Sequence, residues 1–469
     1  MLRFFSHRIA LPTLLLASVE GTVFFLLLLV ASVLHLGDPK TLALANRLDV
    51  VDIASLSGLF ILVLASLGIY NRDAVYQFGV LLQRSVIFLF VIVFLGVLAW
   101  IIDDLIPSMR LSDYVSFLAL ATGLNLTAIM TTRLAFVFMP KIDTFKTRVL
   151  VLGRGPLGVR IRTFLGAEGS HTLKQVGYVD LDALRTPRDA AAAGDPDLVA
   201  EDICRLAREA NAHEIVIASR EWRGLPIWNL LDCKMAGTKV TDYLTFWERE
   251  AGQIDLNEVK PSWLALSDGF RQSRVHAVVK RALDIVVSLA FLSVTLPVIL
   301  LAAFLIKLES SGPVFYLQER IGRHGKIFNV IKFRSMYVDA EKDGVPQWAS
   351  RVDPRVTRVG HLIRRTRIDE IPQIFNVLFG DMSFVGPRPE RPYFVRELSE
   401  DIPLYNIRHN VRPGITGWAQ INYPYGASVE DARRKLEYDL YYVKNGGLFL
   451  DFAIILQTVR VVLSGDGAR

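Results

Sequence analysis

Apolar positions along this chain follow three regimes. Before residue 150 they come in four long stretches, at roughly 10–34, 51–70, 79–101 and 113–131, each near or above the ~20 residues that carry a helix across a bilayer. Between 147 and 243 they come in short β-branched runs separated by helical sequence: TRVLVL (147–152), KQVGYVD (174–180), HEIVIAS (213–219) and GTKVTDY (237–243). Further on, IVVSLAFLSVTLPVILLAAFLI (285–306) is apolar enough to span a membrane but has Pro297 near its middle. Proline removes an N–H, clashes with the preceding turn and disfavours helical dihedrals at Leu296, which predicts a kink or break. The pattern predicts a membrane α-helical bundle, an α/β Rossmann-like module and a membrane-associated, mainly α domain with a re-entrant helix. The expected boundaries are 1–140 for the bundle, 141–250 for the module, 251–274 for a linker and 275–469 for the last domain, with the re-entrant helix at 283–308.

Charge fixes the expected topology. A mean hydropathy of +0.34 over 469 residues places part of the chain in lipid, and a net charge of +6 suits contact with anionic headgroups or phosphorylated ligands. Arg3, Arg8, Arg72, Arg84, Arg133, Lys141, Lys146 and Arg148 lie at one side of the four stretches, whereas Lys40, Arg47 and Arg110 on the other are largely balanced by acids. The positive-inside rule then puts both ends of the bundle in the cytoplasm. Arg274, Lys280 and Arg281 precede the Pro297 segment, and Lys307, Arg320, Arg323 and Lys326 follow it, so both of its ends read as cytoplasmic; a plain kinked span is the alternative. Glu20 interrupts the first stretch, either paired to a neighbouring helix or functional. Cys204 and Cys233 form neither a metal-ligand cluster nor a disulfide framework by spacing and read as ordinary buried thiols.

After the strand TRVLVL, Gly153, Gly155 and Gly158 have the spacing of a phosphate-binding turn, and Asp180 stands where a ribose-binding acid would. A lone G-x-G-x-x-G is a weak signal, and these glycines are a candidate nucleotide turn only. A membrane-bound nucleotide-sugar dehydratase would share this layout but needs a Tyr-x-x-x-Lys pair, and none of the 14 tyrosines has a lysine four residues on.

The densest chemistry lies between Glu319 and Arg391, where 14 Lys/Arg face 9 Asp/Glu. Within RRTRIDEIPQIFNVLFGDMSFVGPRPERP (364–392), Asp369 and Glu370 sit among five arginines. Arginine matches phosphate oxygens bidentately, which makes Arg334, Arg364 and Arg388 candidate phosphate clamps. An acidic pair beside phosphates suits Mg2+, or an aspartate that attacks phosphorus. The bland reading is a dipole-offsetting acid pair with surface ion pairs.

Residues 275 to 465 resemble the bacterial sugar transferases, the polyprenyl-phosphate phosphoglycosyl transferases of exopolysaccharide and O-antigen synthesis. The resemblance runs through VKRALDI, the proline-broken apolar segment, GPVFYLQERIGRHGKIFNVIKFRSM, RIDEIPQIFNVLFGDMSFVGPRP and VRPGITGWAQIN. The bundle and module ahead of it are similar, more loosely, to the larger members. The resemblance implies transfer of a sugar-1-phosphate from a UDP-sugar to polyprenyl (undecaprenyl) phosphate with release of UMP. It also implies that Asp369 is the nucleophile, that Glu370 helps hold Mg2+ or manage a proton, and that Lys332, Arg334, Arg364 and Arg388 grip phosphates. Asp369 and Glu370 are the implied metal residues. Many members carry Ser-Pro where this chain has Leu296-Pro297, so a hydroxyl that would help the bend is absent. The expected partners are the UDP-sugar, the lipid phosphate and the bilayer, with homo-oligomers open and no nucleic acid. The expected location is multi-pass in the bacterial inner membrane, with the last domain in the cytoplasm. A non-catalytic scaffold of a polysaccharide assembly complex is the rival reading.

Overall fold

The computed structural model describes residues 146–464 apart from 167–172, 182–197, 223–224, 271–272, 338–354, 425 and 427, and nearer the start 2–4, 7–9, 11–35 and separate positions within 57–64 and 120–132. The chain divides into two compact units, Met1–Ala251 and Gly252–Arg469.

In the first unit, helix α1 (Leu11–His35) covers the first apolar stretch. Phe24 meets Phe60 of the second stretch edge to face at 6.3 Å, and Thr132, just past the fourth, donates to Glu20 Oε1 at 2.9 Å. The buried Glu20 is thus tied to a neighbouring helical segment. The third stretch lies outside the described residues.

The short β-branched runs form β1 (Thr147–Gly153), β2 (Leu173–Asp180), β3 (Glu214–Ala218) and β4 (Lys239–Asp242). Each is parallel to its neighbours, in the order β2-β1-β3-β4. Helices α2 (Gly155–Gly166), α3 (Leu198–Glu209), α4 (Ile227–Met235) and α5 (Tyr243–Ala251) make the connections and the final flank. Strand β1 reads as a continuous apolar run because it is central: Val149 and Val151 enter one core and Leu150 and Leu152 the other. Glu214, buried at the start of β3, is held by both guanidinium nitrogens of Arg249, by Lys239 and by Thr241. The reading of the cysteines is corrected: Cys204 of α3 and Cys233 of α4 are joined as a disulfide, with Cα atoms 5.4 Å apart. Which helices pack side by side is not written in a spacing of 29 residues.

In the second unit, residues 252–273 are not a free linker. Trp418 Nε1 donates to the Gly252 carbonyl at 2.7 Å, the Ile254 N–H donates to the Glu437 carbonyl at 3.0 Å, and Ile254 is buried. Lys444 lies 4.0 Å over the Trp263 ring within the short helix α6 (Pro261–Leu266). This strap packs on the later helix Val429–Asn445, which moves the domain boundary from 275 to 252.

Helix α7 (Arg274–Glu309) begins at Ser273, whose side chain accepts from the His276 N–H. It is long and apolar enough to cross a membrane. Helix continues through Pro297, so of the expected kink or break the break is excluded, and the helix is longer than the expected 283–308. Proline at 297 cannot donate the bond that an ordinary residue there would give to the Ser293 carbonyl. Just before it, the Ser293 and Thr295 hydroxyls donate to the carbonyls of Ala290 and Phe291, a back-bonding that bends helices and supplies hydroxyls despite Leu296. One face of α7 is buried at Asp284, Ser288, Ile299, Ala302 and Ile306, whereas no residue from 293 to 298 is buried.

Strands β5 (Phe315–Ile321) and β6 (Ile327–Phe333) form an antiparallel hairpin. Helix α8 (Arg358–Arg365), a 3-10 turn (Ile368–Glu370) and helix α9 (Gln373–Phe379) follow. Then come β7 (Ser383–Val385), helix α10 (Pro392–Asp401) and a second 3-10 turn (Tyr405–Asn410). Strand β8 (Gly414–Thr416) pairs parallel to β7 and leads to α11 (Trp418–Asn422), α12 (Val429–Asn445) and α13 (Leu448–Ser464). Ile299, Ala302 and Ile306 of α7 pack with Phe333 and Ile363, and each isoleucine or phenylalanine side chain contributes ~1.5–3 kcal/mol by leaving water.

Candidate active site

The sequence places two isoleucines around two acids, and the 3-10 turn sorts them. Ile368 and Ile371 pack against the Ile299–Phe333–Ile363 cluster, three residues apart on the inner side of the turn. Asp369 and Glu370 lie between them. The turn is entered through Arg367, whose φ of 60° is left-handed, a conformation that disfavours an ordinary side chain by about 1–2 kcal/mol. Asn376 fixes α9 to β6: its Oδ1 accepts from the Ile331 N–H at 2.9 Å and its Nδ2 donates to the Asn329 carbonyl at 2.7 Å. The hairpin and the dyad are thereby held in one frame.

Glu370 is the charge centre. Arg388 Nη2 donates to its Oε1 at 2.6 Å, Lys332 Nζ approaches the same oxygen at 3.4 Å, and Arg367 stands 3.7 Å from Oε2. Burial would raise its pKa, but Arg388, Lys332 and Arg367 outweigh burial and hold Glu370 well below the usual carboxylate range. Lys332 runs the other way, lowered by burial against the pull of Glu370.

Asp369 differs from its neighbour in every respect. It has no hydrogen-bond or ion-pair partner among the described residues. Burial first and the Glu370 charge second push its carboxyl up to about 6, against Lys332, Arg364 and Arg388. It is therefore mostly ionised at neutral pH with its lone pairs uncommitted, which is the condition for attack on an electrophile. Arg364, half-buried on α8, likewise has no hydrogen-bond or ion-pair partner among the described residues, and its charge is felt at Asp369.

Of the four basic residues singled out from sequence, Lys332, Arg364 and Arg388 come together around the dyad. Arg334 does not: its guanidinium is buried and donates to the Ser311 carbonyl at 3.0 Å and to the Ser310 carbonyl and hydroxyl at 2.9 Å. It holds the two residues that follow the last residue of α7. Pro297 lies on α7 and the turn Gly153, Gly155 and Gly158 lies in the other unit. A side chain at Gly153 would come 2.6 Å from the Tyr178 ring and one at Gly158 2.5 Å from its hydroxyl, so close packing explains two of these glycines. Gly155, at φ 56°, faces open space, and Asp180 pairs in register with Gly153 at the C-terminal ends of β2 and β1.

Sequence reasoning missed the polar foot of α7. Lys280 reaches Asp451 at 2.7 Å and the Val385 carbonyl at 3.3 Å, and Arg281 donates to the Val377 and Leu378 carbonyls. Asp284 Oδ1 accepts from the Ser383 hydroxyl and the Phe384 N–H, both at 3.0 Å. These residues were visible in VKRALDI, but their partners lie 96 to 171 residues on.

No cluster of three or more metal-ligating side chains occurs among the described residues. The dyad nevertheless fits a Mg2+ that takes most of its ligands from water and substrate phosphate. Among the described residues Asp369 has unshared oxygens, and Glu370 Oε2 is approached by Arg367 at 3.7 Å.

A free carboxylate beside a second one locked by cations is an arrangement that suits an anionic, phosphorylated ligand. Residues 275–465 match the family described as bacterial sugar transferase. A UDP-N-acetylgalactosamine-undecaprenyl-phosphate N-acetylgalactosaminephosphotransferase of Aeromonas hydrophila is 41% identical over 62% of this chain and 62% of its own length. The match therefore spans about three fifths of that relative. UDP-glucose:undecaprenyl-phosphate glucose-1-phosphate transferases of Klebsiella pneumoniae and Caulobacter vibrioides are 35% and 37% identical. The first is matched over 73% of each chain, the second over 52% of this chain and 98% of its own. The chain belongs to the bacterial sugar transferase family.

Proposed function

We propose that this protein transfers a sugar-1-phosphate from a UDP-sugar to undecaprenyl phosphate, releasing UMP, as the first step of exopolysaccharide or related glycan synthesis. The observation that carries this reading is the contrast within the dyad: Glu370 is saturated by cations while Asp369 is uncommitted and ionised near neutrality. An Asp369 oxygen attacks the phosphorus that bears the sugar, the phosphoanhydride bond breaks, and UMP leaves with the bonding pair. An oxygen of the lipid phosphate then attacks the same phosphorus, and Asp369 leaves as a carboxylate. One anhydride is exchanged for another, so positioning and charge stabilisation do most of the work. Lys332, Arg364 and Arg388 face the phosphates, and Glu370 orders Arg388 and Lys332. A Mg2+ held by Asp369 and Glu370 would neutralise phosphate charge.

The same reading places α7 in the cytoplasmic leaflet as a re-entrant helix. Thirty-six residues of straight helix would measure ~54 Å, beyond the ~30 Å hydrocarbon core. Its ends carry Arg274 and Lys307, and residues 293–298 around Pro297 stand clear of the protein with apolar Val294, Leu296 and Val298 exposed. The N-terminal stretches would complete a multi-pass anchor in the inner membrane, and the parallel sheet would be a Rossmann-like module. The test is UMP release from UDP-sugars before any lipid acceptor is added. A burst no larger than the enzyme concentration, lost in Asp369→Asn, is expected; strict dependence of UMP on the lipid phosphate would refute the covalent step.

A further inference from the structure

The loop Gly386–Glu390 delivers Arg388 to Glu370, yet Pro387 and Pro389 deprive it of two backbone N–H groups. It is held instead by its carbonyls, four in succession. The Gly414 N–H donates to the Pro387 carbonyl at 2.9 Å and the Ile321 N–H to the Glu390 carbonyl at 3.0 Å. The two between them, flanking the Arg388 Cα on its C-terminal side, are held by arginines: Arg408 Nη2 donates to the Arg388 carbonyl at 2.9 Å and Arg320 Nη1 to the Pro389 carbonyl at 3.0 Å.

Arg408 is the more firmly set of the two. It is buried, its Nη1 donates to the Tyr405 hydroxyl at 2.6 Å and its Nη2 meets the Asp439 carboxylate at 2.7 Å. Burial works against its charge, but Tyr405 and Asp439 outweigh that and raise its pKa. A planar guanidinium suits three acceptors lying around one fork, which a lysine cannot bridge. Tyr405 belongs to the large core of this unit and Asp439 to α12, so the fork ties the loop to the most deeply packed part of the domain.

We infer that Arg408, fixed by Asp439, is a positioning residue that sets the backbone at Arg388 so that the Arg388 guanidinium meets Glu370. It acts through Arg388 and touches no reacting atom. The inference rests on the transferase reading and assigns a residue outside the basic ring already described. A displacement of about 1 Å at a reacting centre costs on the order of a hundredfold in rate, which sets the scale of the effect.

The test measures the UMP burst of the full chain in lipid nanodiscs, with burst amplitude counting competent sites and burst rate constant reporting chemistry. Arg408→Lys keeps the charge beside Asp439. The paired change Arg408→Met with Asp439→Leu removes donor and acid together and guards against an unfolded single variant, because an apolar pair leaves no buried charge uncompensated. Both should lower the rate constant about 10- to 100-fold at normal amplitude. In an Arg388→Ala background, neither should lower it further, because Arg408 then has nothing left to position. An equal fall in both backgrounds, a fall in amplitude alone, or an unchanged rate would overturn the inference. If wild type releases no UMP from any UDP-sugar while binding UDP normally, the transferase reading fails and takes this inference with it; a wild-type burst with additive variants sinks the inference alone.

Discussion

The replacement Glu370→Gln separates the two jobs assigned to the dyad. Asp369 must be ionised to attack, and with its pKa near 6 it is about 90% ionised at pH 7 and about 10% at pH 5. The second-order rate constant for UMP release, which reports the free enzyme, should therefore fall about tenfold over those two pH units. After burial, the charge of Glu370 is the largest cause of that raised pKa. The amide removes it, and the acid limb moves to lower pH. A limb one unit lower would leave half of Asp369 ionised at pH 5 and shrink the fall to about twofold. The plateau above pH 7 should drop as well, because Arg388 and Lys332 lose the carboxylate that orders them. Quenched-flow detection of UMP without lipid acceptor gives both quantities, and repeating it at two Mg2+ concentrations separates proton from metal competition. A wild-type limb near pH 4, or a Glu370→Gln limb that stays or rises, would refute the reasoning.

Stability gives the same variant an opposite signature. A carboxylate whose folded pKa is depressed stabilises the fold above its unfolded pKa, ~4.3 for Glu, and that contribution is lost as pH falls through the folded value. The Glu370 side chain is 14% exposed, so leaving its cations unmatched costs ~3–5 kcal/mol at neutral pH, less whatever one amide oxygen restores. The gap between wild type and Glu370→Gln should narrow below pH ~4. Asp369 has the reverse sign: its raised pKa means that ionisation at neutral pH disfavours the folded state.

Other outcomes follow from the packing. A chain starting at Gly252 should keep the UMP burst, whereas one starting at Val275 should lose ~3–5 kcal/mol of stability with the buried Ile254, the Trp418–Gly252 bond and the Lys444–Trp263 contact; equal melting temperatures in nanodiscs would contradict this. Arg281→Ala should cost ~1.5–3 kcal/mol by stripping a charged donor from the Val377 and Leu378 carbonyls, and urea unfolding measures it. Single cysteines at Ser273 and Ser311, in a background lacking Cys204 and Cys233, should both be shielded from an impermeant thiol reagent in intact cells. Labelling of the Ser311 site alone would mean a true crossing, and Pro297→Ala should move some molecules toward it.

What was legible in the sequence was whatever a local period or a motif could carry. The four short strands follow from β-branched runs, and the dyad with three of its four cations follows from one crowded segment. Arg334 was a candidate phosphate clamp, and composition alone does not show that its fork meets Ser310 and Ser311. It stands two residues from Lys332, yet β6 ends at Phe333, and the chain turns it to the carbonyls just past the end of α7. The strap at 252–273 looked like a linker because its signals, Ile254 and Trp263, are single apolar residues whose partners lie on α12. The disulfide and the Arg408 fork are likewise contacts between distant elements.

The foot of α7 changes how its charges should be read. Lys280 and Arg281 weighed in the topological reading as markers of the cytoplasmic side, but both are committed to protein: one to Asp451 and the Val385 carbonyl, the other to the end of α9. Asp284, one turn further up, grips Ser383 and Phe384. All three therefore hold the segment from Val377 to Val385, which runs directly into the loop of Arg388. Arg274 and Lys307 are the cations left exposed at the two ends of the helix. A basic flank thus serves two purposes that sequence counting merges. On the proposed topology it marks the side of the membrane; in the structure it locks the apolar helix to the segment Val377–Val385, so on that proposal the depth of α7 in the leaflet would set the height of Asp369 above it.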